Sequence, residues 1–144
     1  SIGLICLTTR LAGEGWAMYN MGGSYEKGRG LPKDATQALA WFRRADAAGH
    51  AGGTGALGVF IAAGYGGATA SAHKGAALMA EAAGRGSQMA CANLGKAFAE
   101  GHWGFPKDPA MARRWYLKVA GASIKDAGDH NTVEVAQWLR DHPA

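Results

Sequence analysis

"GLPKD" at residues 30–34 returns as "GFPKD" at residues 104–108, 74 positions further along and changed at one apolar residue. Such a stretch punctuates a chain. Proline cannot continue a helix, glycine accepts backbone angles that other residues resist, and an aspartate can cap the first turn of a following helix. The flanks repeat as well. "AMYNMGGSYEKGRGLPKDATQALAWFRRADAAGH" (17–50) lies over "ACANLGKAFAEGHWGFPKDPAMARRWYLKVAGAS" (90–123). Met21-Gly22 meets Leu94-Gly95, Tyr25 meets Phe98, Gly28 meets Gly101, Ala38 meets Ala112, and Trp41-Phe42 meets Trp115-Tyr116. One extra residue in the second loop closes the register.

Half of that spacing calls for a middle unit, and Leu57-Gly58, Gly64 and "AEAAG" at 80–84 fall where it requires them. This copy lacks Pro-Lys-Asp. Its Ala76-Ala77 align with the aromatic pairs of its neighbours, and its Leu78 and Met79 with Arg43 and Arg44, which points to an apolar patch on the outer wall or to packing against a repositioned neighbour.

Each unit reads as two helices joined by a short loop. Ala38, Trp41, Phe42, Ala45 and Ala48 follow the i, i+3, i+4 rhythm of a buried helix stripe, as do Ala112, Trp115, Tyr116, Val119 and Ala122. The aromatic pairs are therefore expected in the core. Asp34 with Gln37 has the spacing of a capping box, and Asp108 precedes a proline at the first helical position.

These units resemble Sel1-like repeats, relatives of the tetratricopeptide class. The resemblance rests on the alanine, Asn-Met-Gly or Asn-Leu-Gly, aromatic, Gly-x-Gly, capping aspartate, Trp-aromatic and closing Ala-Ala-Gly elements of 17–49, and on most of them again from Ala90. It implies an all-α fold, a right-handed α-solenoid of stacked antiparallel helix pairs with about three repeats plus terminal helices. The expected divisions are 1–13 as the second helix of a partial preceding repeat, repeats at 14–50, 51–86 and 87–123, and a capping helix within 124–144. In that last segment Asn131 and Glu134 have capping-box spacing, and Val135, Trp138 and Leu139 share a face.

The 144 residues fit one such domain, with 48% hydrophobic and 18% charged residues and 23 glycines, a composition that argues against disorder and for closely packed backbones. The net charge of +4 is scattered along the chain, so nucleic acid is not the expected partner. The apolar run "ALGVFIAAG" at 56–64 is too short to span a bilayer. Cys6 and Cys91 match no metal spacing and read as small buried hydrophobes, and histidines 50, 73, 102, 130 and 142 form no ligand pattern. Gly53, Gly55 and Gly58 have G-x-G-x-x-G spacing, but no strand precedes them and Gly58 is already the Leu-Gly of the repeat. No nucleophile is placed with a base, so neither an enzyme nor a cofactor is expected.

Stacked helix pairs curve, and first helices line the inner wall. Asn20, Ser24 and Lys27 occupy one face of the first helix. Ala56, Phe60 and Ala63, then Asn93, Ala97 and Glu100, are their counterparts. Phe60 is the expected anchor for a partner side chain, with ordinary packing between units as the other reading. Tyr65 and Trp103 are loop aromatics without a role in the repeat and are expected at the contact. The resemblance implies a non-catalytic scaffold or adaptor holding a protein or peptide, in bacteria often in envelope signalling or host contact, which favours the periplasm or envelope. A second reading is a binder or hydrolase of cell-wall or β-lactam-like material. The cysteine-rich relatives it draws on carry paired cysteines in each repeat, which this chain lacks. Oligomeric state is left open.

Overall fold

The computed structural model describes the backbone of residues 2–123 and 130–144 and the side chains of residues 13–119 and 133–144. Among these residues the regular structure is helical: α1 (Ile2–Lys27), α2 (Ala35–Ala47), α3 (Ala51–Ala63), α4 (Ala72–Gly84), α5 (Gln88–Glu100), α6 (Pro109–Ser123) and α7 (His130–Asp141). Short 3₁₀ turns at Tyr65–Gly67 and His102–Gly104 follow α3 and α5. Helices pair as α1 with α2, α3 with α4 and α5 with α6, and successive pairs stack through α2 on α3 and α4 on α5. This is an α-solenoid.

The repeated pentapeptide ends each loop in the same way. Asp34 accepts hydrogen bonds from the N–H groups of Thr36 and Gln37, and Asp108 accepts one from Met111. In the middle unit Ser71 does this work, its Oγ accepting from the N–H of Lys74. The cap's own N–H points backwards: Asp34 donates to the Tyr25 carbonyl at 2.9 Å, Ser71 to Ile61 at 2.9 Å and Asp108 to Phe98 at 2.8 Å. One residue thus starts the second helix and ties it to the first. The reciprocal half of a capping box at Gln37 is not available, because Tyr25 already takes the Asp34 N–H.

Small residues let the paired helices approach. A methyl group on Gly22 would stand 2.5 Å from the Phe42 ring, one on Gly95 would collide with the Tyr116 ring, and one on Gly58 would stand 2.9 Å from Met79 Cγ. Phe42, Met79 and Tyr116 are therefore equivalent. The sequence alignment of the middle unit is corrected by this contact: Leu78-Met79, not Ala76-Ala77, stands where the neighbours carry Trp41-Phe42 and Trp115-Tyr116. Met79 is fully buried, and Leu78 packs on the cluster of Ala38, Leu39, Phe42, Leu57 and Phe60, so they form no outer patch. Burying a side chain of this size contributes about 1.5–3 kcal/mol.

The aromatic pairs divide their duties. Phe42 and Tyr116 are buried, whereas Trp41 and Trp115 are half-buried, with Arg44 and Lys118 lying over their rings at 4.3 and 4.4 Å. The tryptophans are thus the rim of the core rather than its centre.

The two ends differ from each other. Ile2–Lys27 is one continuous helix, without the break expected after residue 13; no proline interrupts it, and Gly13 and Gly15 are tolerated at about 1 kcal/mol each. At the other end Val135 is buried, with Trp138 and Leu139 packed beside it, against Tyr116 and Val119 of α6. The cap expected at Asn131 falls on a side chain outside the described residues.

Candidate functional site

The first helices of the three pairs surround a cavity of about 470 Å³. Its lining comes from Tyr19, Asn20, Gly23, Glu26 and Lys27 of α1, Ala56, Val59 and Phe60 of α3, Met89, Asn93 and Lys96 of α5, and Arg29, Tyr65, His102 and Trp103 of the loops. Phe42 closes it from behind.

Of the residues singled out in the sequence, Asn20, Lys27, Phe60, Tyr65, Asn93 and Trp103 converge here, while Ser24 and Glu100 do not line the cavity. Glu100 stays next to it, as the ion-pair partner of His102. Phe60 forms the floor of the cavity, the packing reading of the two. It is 4% exposed and held edge-on by the rings of Phe42 at 5.2 Å and Tyr65 at 5.6 Å. Ala97 is likewise buried.

The groove stripe runs i, i+3 rather than i, i+4. Gly23, Val59 and Lys96, each three residues after Asn20, Ala56 and Asn93, line the cavity in equivalent positions. Of the i+4 residues, Phe60 floors the cavity, Ala97 is buried and Ser24 does not line it. Lys96 was missed in the sequence for that reason, and Met89, four residues before Asn93, lies on the same face. Arg29 and His102 were missed because they sit on loops, where helical periodicity gives no direction.

Trp103 takes an unusual backbone. Among the described residues it is the single non-glycine with positive φ, at 55°, and the equivalent middle-unit residue is Gly66 at 66°. An L-residue in this region is strained by about 1–2 kcal/mol. Half-buried, the indole packs against the core cluster that holds Ala62, Met79, Leu94, Ala97 and Phe105 while lining the cavity. Tyr65 is 48% exposed on the other loop.

The electrostatics are uneven. Burial pushes the Glu26 carboxyl above its ordinary range, and Lys27, Arg29 and Lys33 pull against that rise. Burial also raises the Tyr19 phenol, with Glu26 adding to the rise and Arg29 opposing it. The Tyr19 hydroxyl lies 3.7 Å from the sulfur of Met89.

Other sequence candidates have structural duties. Gly53, Gly55 and Gly58 lie inside α3, a continuous helix with no phosphate loop. His50 caps that helix, its Nδ1 accepting from the N–H of Gly53 at 3.0 Å. Cys91 is buried, its thiol pushed up by that burial, and the Cys6 side chain lies outside the described residues. Among the described residues no three His, Cys, Asp or Glu side chains gather as a metal site. None of the described helices is long and apolar enough to cross a membrane.

Comparison with known proteins gives this helical frame its family. The family described as Sel1 repeat matches residues 17–50 and 88–121. No curated protein sequence matches the chain. Among solved structures, it is similar to a Sel1 repeat protein from Oxalobacter formigenes, with 28% identity and a TM-score of 0.64 over 77% of this chain and 45% of that one. It is also similar to a protective antigen of uropathogenic Escherichia coli strains displaying an SLR fold, with 28% identity and a TM-score of 0.63 over 89% of this chain and 30% of that one. The chain therefore spans less than half the length of either. The first and third helix pairs are thus Sel1 repeats, and the middle pair is built on the same contacts between them.

Proposed function

We propose that the chain is a non-catalytic scaffold that holds a peptide or protein segment in the groove lined by α1, α3 and α5. Sel1 repeats generally serve as protein-interaction scaffolds. The observation that carries the reading here is convergence: two asparagines two repeats apart, Asn20 and Asn93, open onto the same cavity as the loop aromatics Tyr65 and Trp103. A volume of about 470 Å³ accommodates a few side chains of an extended segment. The asparagines offer donors and an acceptor to a peptide backbone, and the aromatics offer flat apolar surface.

In this reading Asn20, Lys27, Asn93, Tyr65 and Trp103 make the contact. Phe60 supports it from below, Glu100 acts through His102, and Ser24 stands outside it.

The test is selection of a displayed random peptide library on the chain, followed by affinity measurement with Asn20→Ala combined with Asn93→Ala. Both amides are on the groove wall rather than in the core, so the fold should survive, as circular dichroism would verify. A loss of about tenfold or more, equal to about 1.4 kcal/mol, is expected. Peptides whose binding ignores the double substitution would place the site elsewhere.

A further inference from the structure

We propose that the segment entering this groove is acidic: an extended peptide whose carboxylates meet Lys96 and Arg29 while Asn20 and Asn93 hold its backbone. The inference rests on the groove being the partner site and names the chemistry of what fills it.

Charge is the first ground. Lys27, Arg29 and Lys96 line the cavity against one carboxylate, Glu26. Lys27 and Arg29 lie close enough to Glu26 to oppose the rise of its pKa, and that side of the cavity still carries two cations against one carboxylate. Lys96 stands on the other wall, on α5, with no ion pair among the described residues. A concave site with an excess of one sign focuses its field on an arriving segment, and the partner that answers it carries the opposite sign.

Geometry supplies the second ground. Asn20 and Asn93 have no side-chain hydrogen bond among the described residues, and they flank the apolar wall of Ala56 and Val59. Uncommitted amides on both sides of an apolar strip suit an extended backbone, which repeats donor and acceptor along its length. Met89, 48% exposed at the edge, provides apolar surface for a side chain beside the acidic ones.

The experiment reads the composition of the selected peptides. Those that depend on Asn20 and Asn93 should be enriched in Asp and Glu by about threefold or more over the library. Their affinity should fall by about tenfold between about 50 and 500 mM salt, as screening dictates. Lys96→Glu combined with Arg29→Glu should turn the selection towards Lys- and Arg-rich peptides. Lys96→Gln alone, an exposed change on α5, should halve the acidic enrichment or better, and it keeps the test alive should the double variant not fold.

Groove-dependent peptides without acidic enrichment would overturn this inference and leave the groove reading standing. Peptides indifferent to both asparagines would overturn the two together. A single-stranded oligonucleotide that bound as tightly as the best peptide, and lost that binding in Lys96→Gln, would overturn the peptide assignment.

Discussion

Met79 closes over Gly58: its Cγ lies 2.9 Å from where a methyl group on that glycine would stand. The Gly75 carbonyl is equally near, also at 2.9 Å, so α3 and α4 cross through a gap that neither backbone can widen without moving the other. Gly58→Ala should destabilise the chain by about 1–3 kcal/mol, the range for overpacking a filled core. Gly84→Ala is the control, because nothing lies within 4 Å of the added methyl at the end of α4, and it should stabilise by up to about 1 kcal/mol. Urea denaturation of both variants reads the contrast. Equal effects would mean that helix propensity, not close packing, governs position 58.

The joint between the first and second pairs holds a buried hydroxyl. Thr54, 0% exposed, donates to an Asp46 carboxylate oxygen at 2.5 Å and accepts from the Arg85 guanidinium at 2.6 Å. Arg85 also donates to the Gly49 carbonyl at 3.1 Å, so one side chain from the end of α4 clamps the turn between α2 and α3. Thr54→Val keeps the shape and removes these bonds together with the weaker one from the hydroxyl to the His50 carbonyl at 3.3 Å. A loss of about 1–3 kcal/mol is expected in urea denaturation, whereas Thr54→Ser, which keeps the hydroxyl, should lose about 1 kcal/mol or less.

His50 makes this joint sensitive to acid. Its Nδ1 must be unprotonated to accept the Gly53 N–H, and burial, then Arg85, hold its pKa below the ordinary 6.5. A histidine whose folded pKa is depressed favours the neutral ring in the fold. Its contribution is therefore complete above about 6.5 and is lost as pH falls through the lower folded value. His50→Asn supplies an uncharged cap acceptor in place of the ring. Stability measured from pH 7.5 down to pH 4.5 should fall less steeply for His50→Asn than for the parent chain. Parallel curves would show that His50 does not couple protonation to folding.

The paired helices were legible because their cause is local and repeated: a capping Asp, a terminating Gly and an aromatic two turns on recur with the same period. The middle unit lost its register on paper because Pro-Lys-Asp is missing there, and Ser71, which replaces the cap, looks like any loop serine. Met79 could then be read as an outer patch or as packing, and only its contact with Gly58 shows that it fills the place of Phe42. The groove was half legible for a related reason. Residues three and four positions apart both share a helix face, and only the packing of α1, α3 and α5 decides which of the two looks outwards. Asn93 was readable from its repeat with Asn20, but Lys96 depended on that packing. The ring of Phe60 was ambiguous in the sequence and became floor once Phe42 and Tyr65 were seen against it.

Trp103 sets stability against contact. At φ 55° an indole occupies a place that the middle unit gives to Gly66, and the strain of about 1–2 kcal/mol is offset by the part of the ring that packs against the core cluster of α5 and its loop. Trp103→Asn tests the balance, because asparagine tolerates the left-handed region better than other side chains while removing the ring. Relief of strain and loss of packing have opposite signs, so the midpoint of thermal unfolding should move by only a few degrees. Affinity for groove-selected peptides should nevertheless fall by about tenfold, the effect of removing an aromatic contact from a binding cavity. A variant that bound as tightly as the parent would assign Trp103 to loop structure alone. One that unfolded some 10 °C earlier would show that the indole is chiefly a core residue, held in its strained angle by packing.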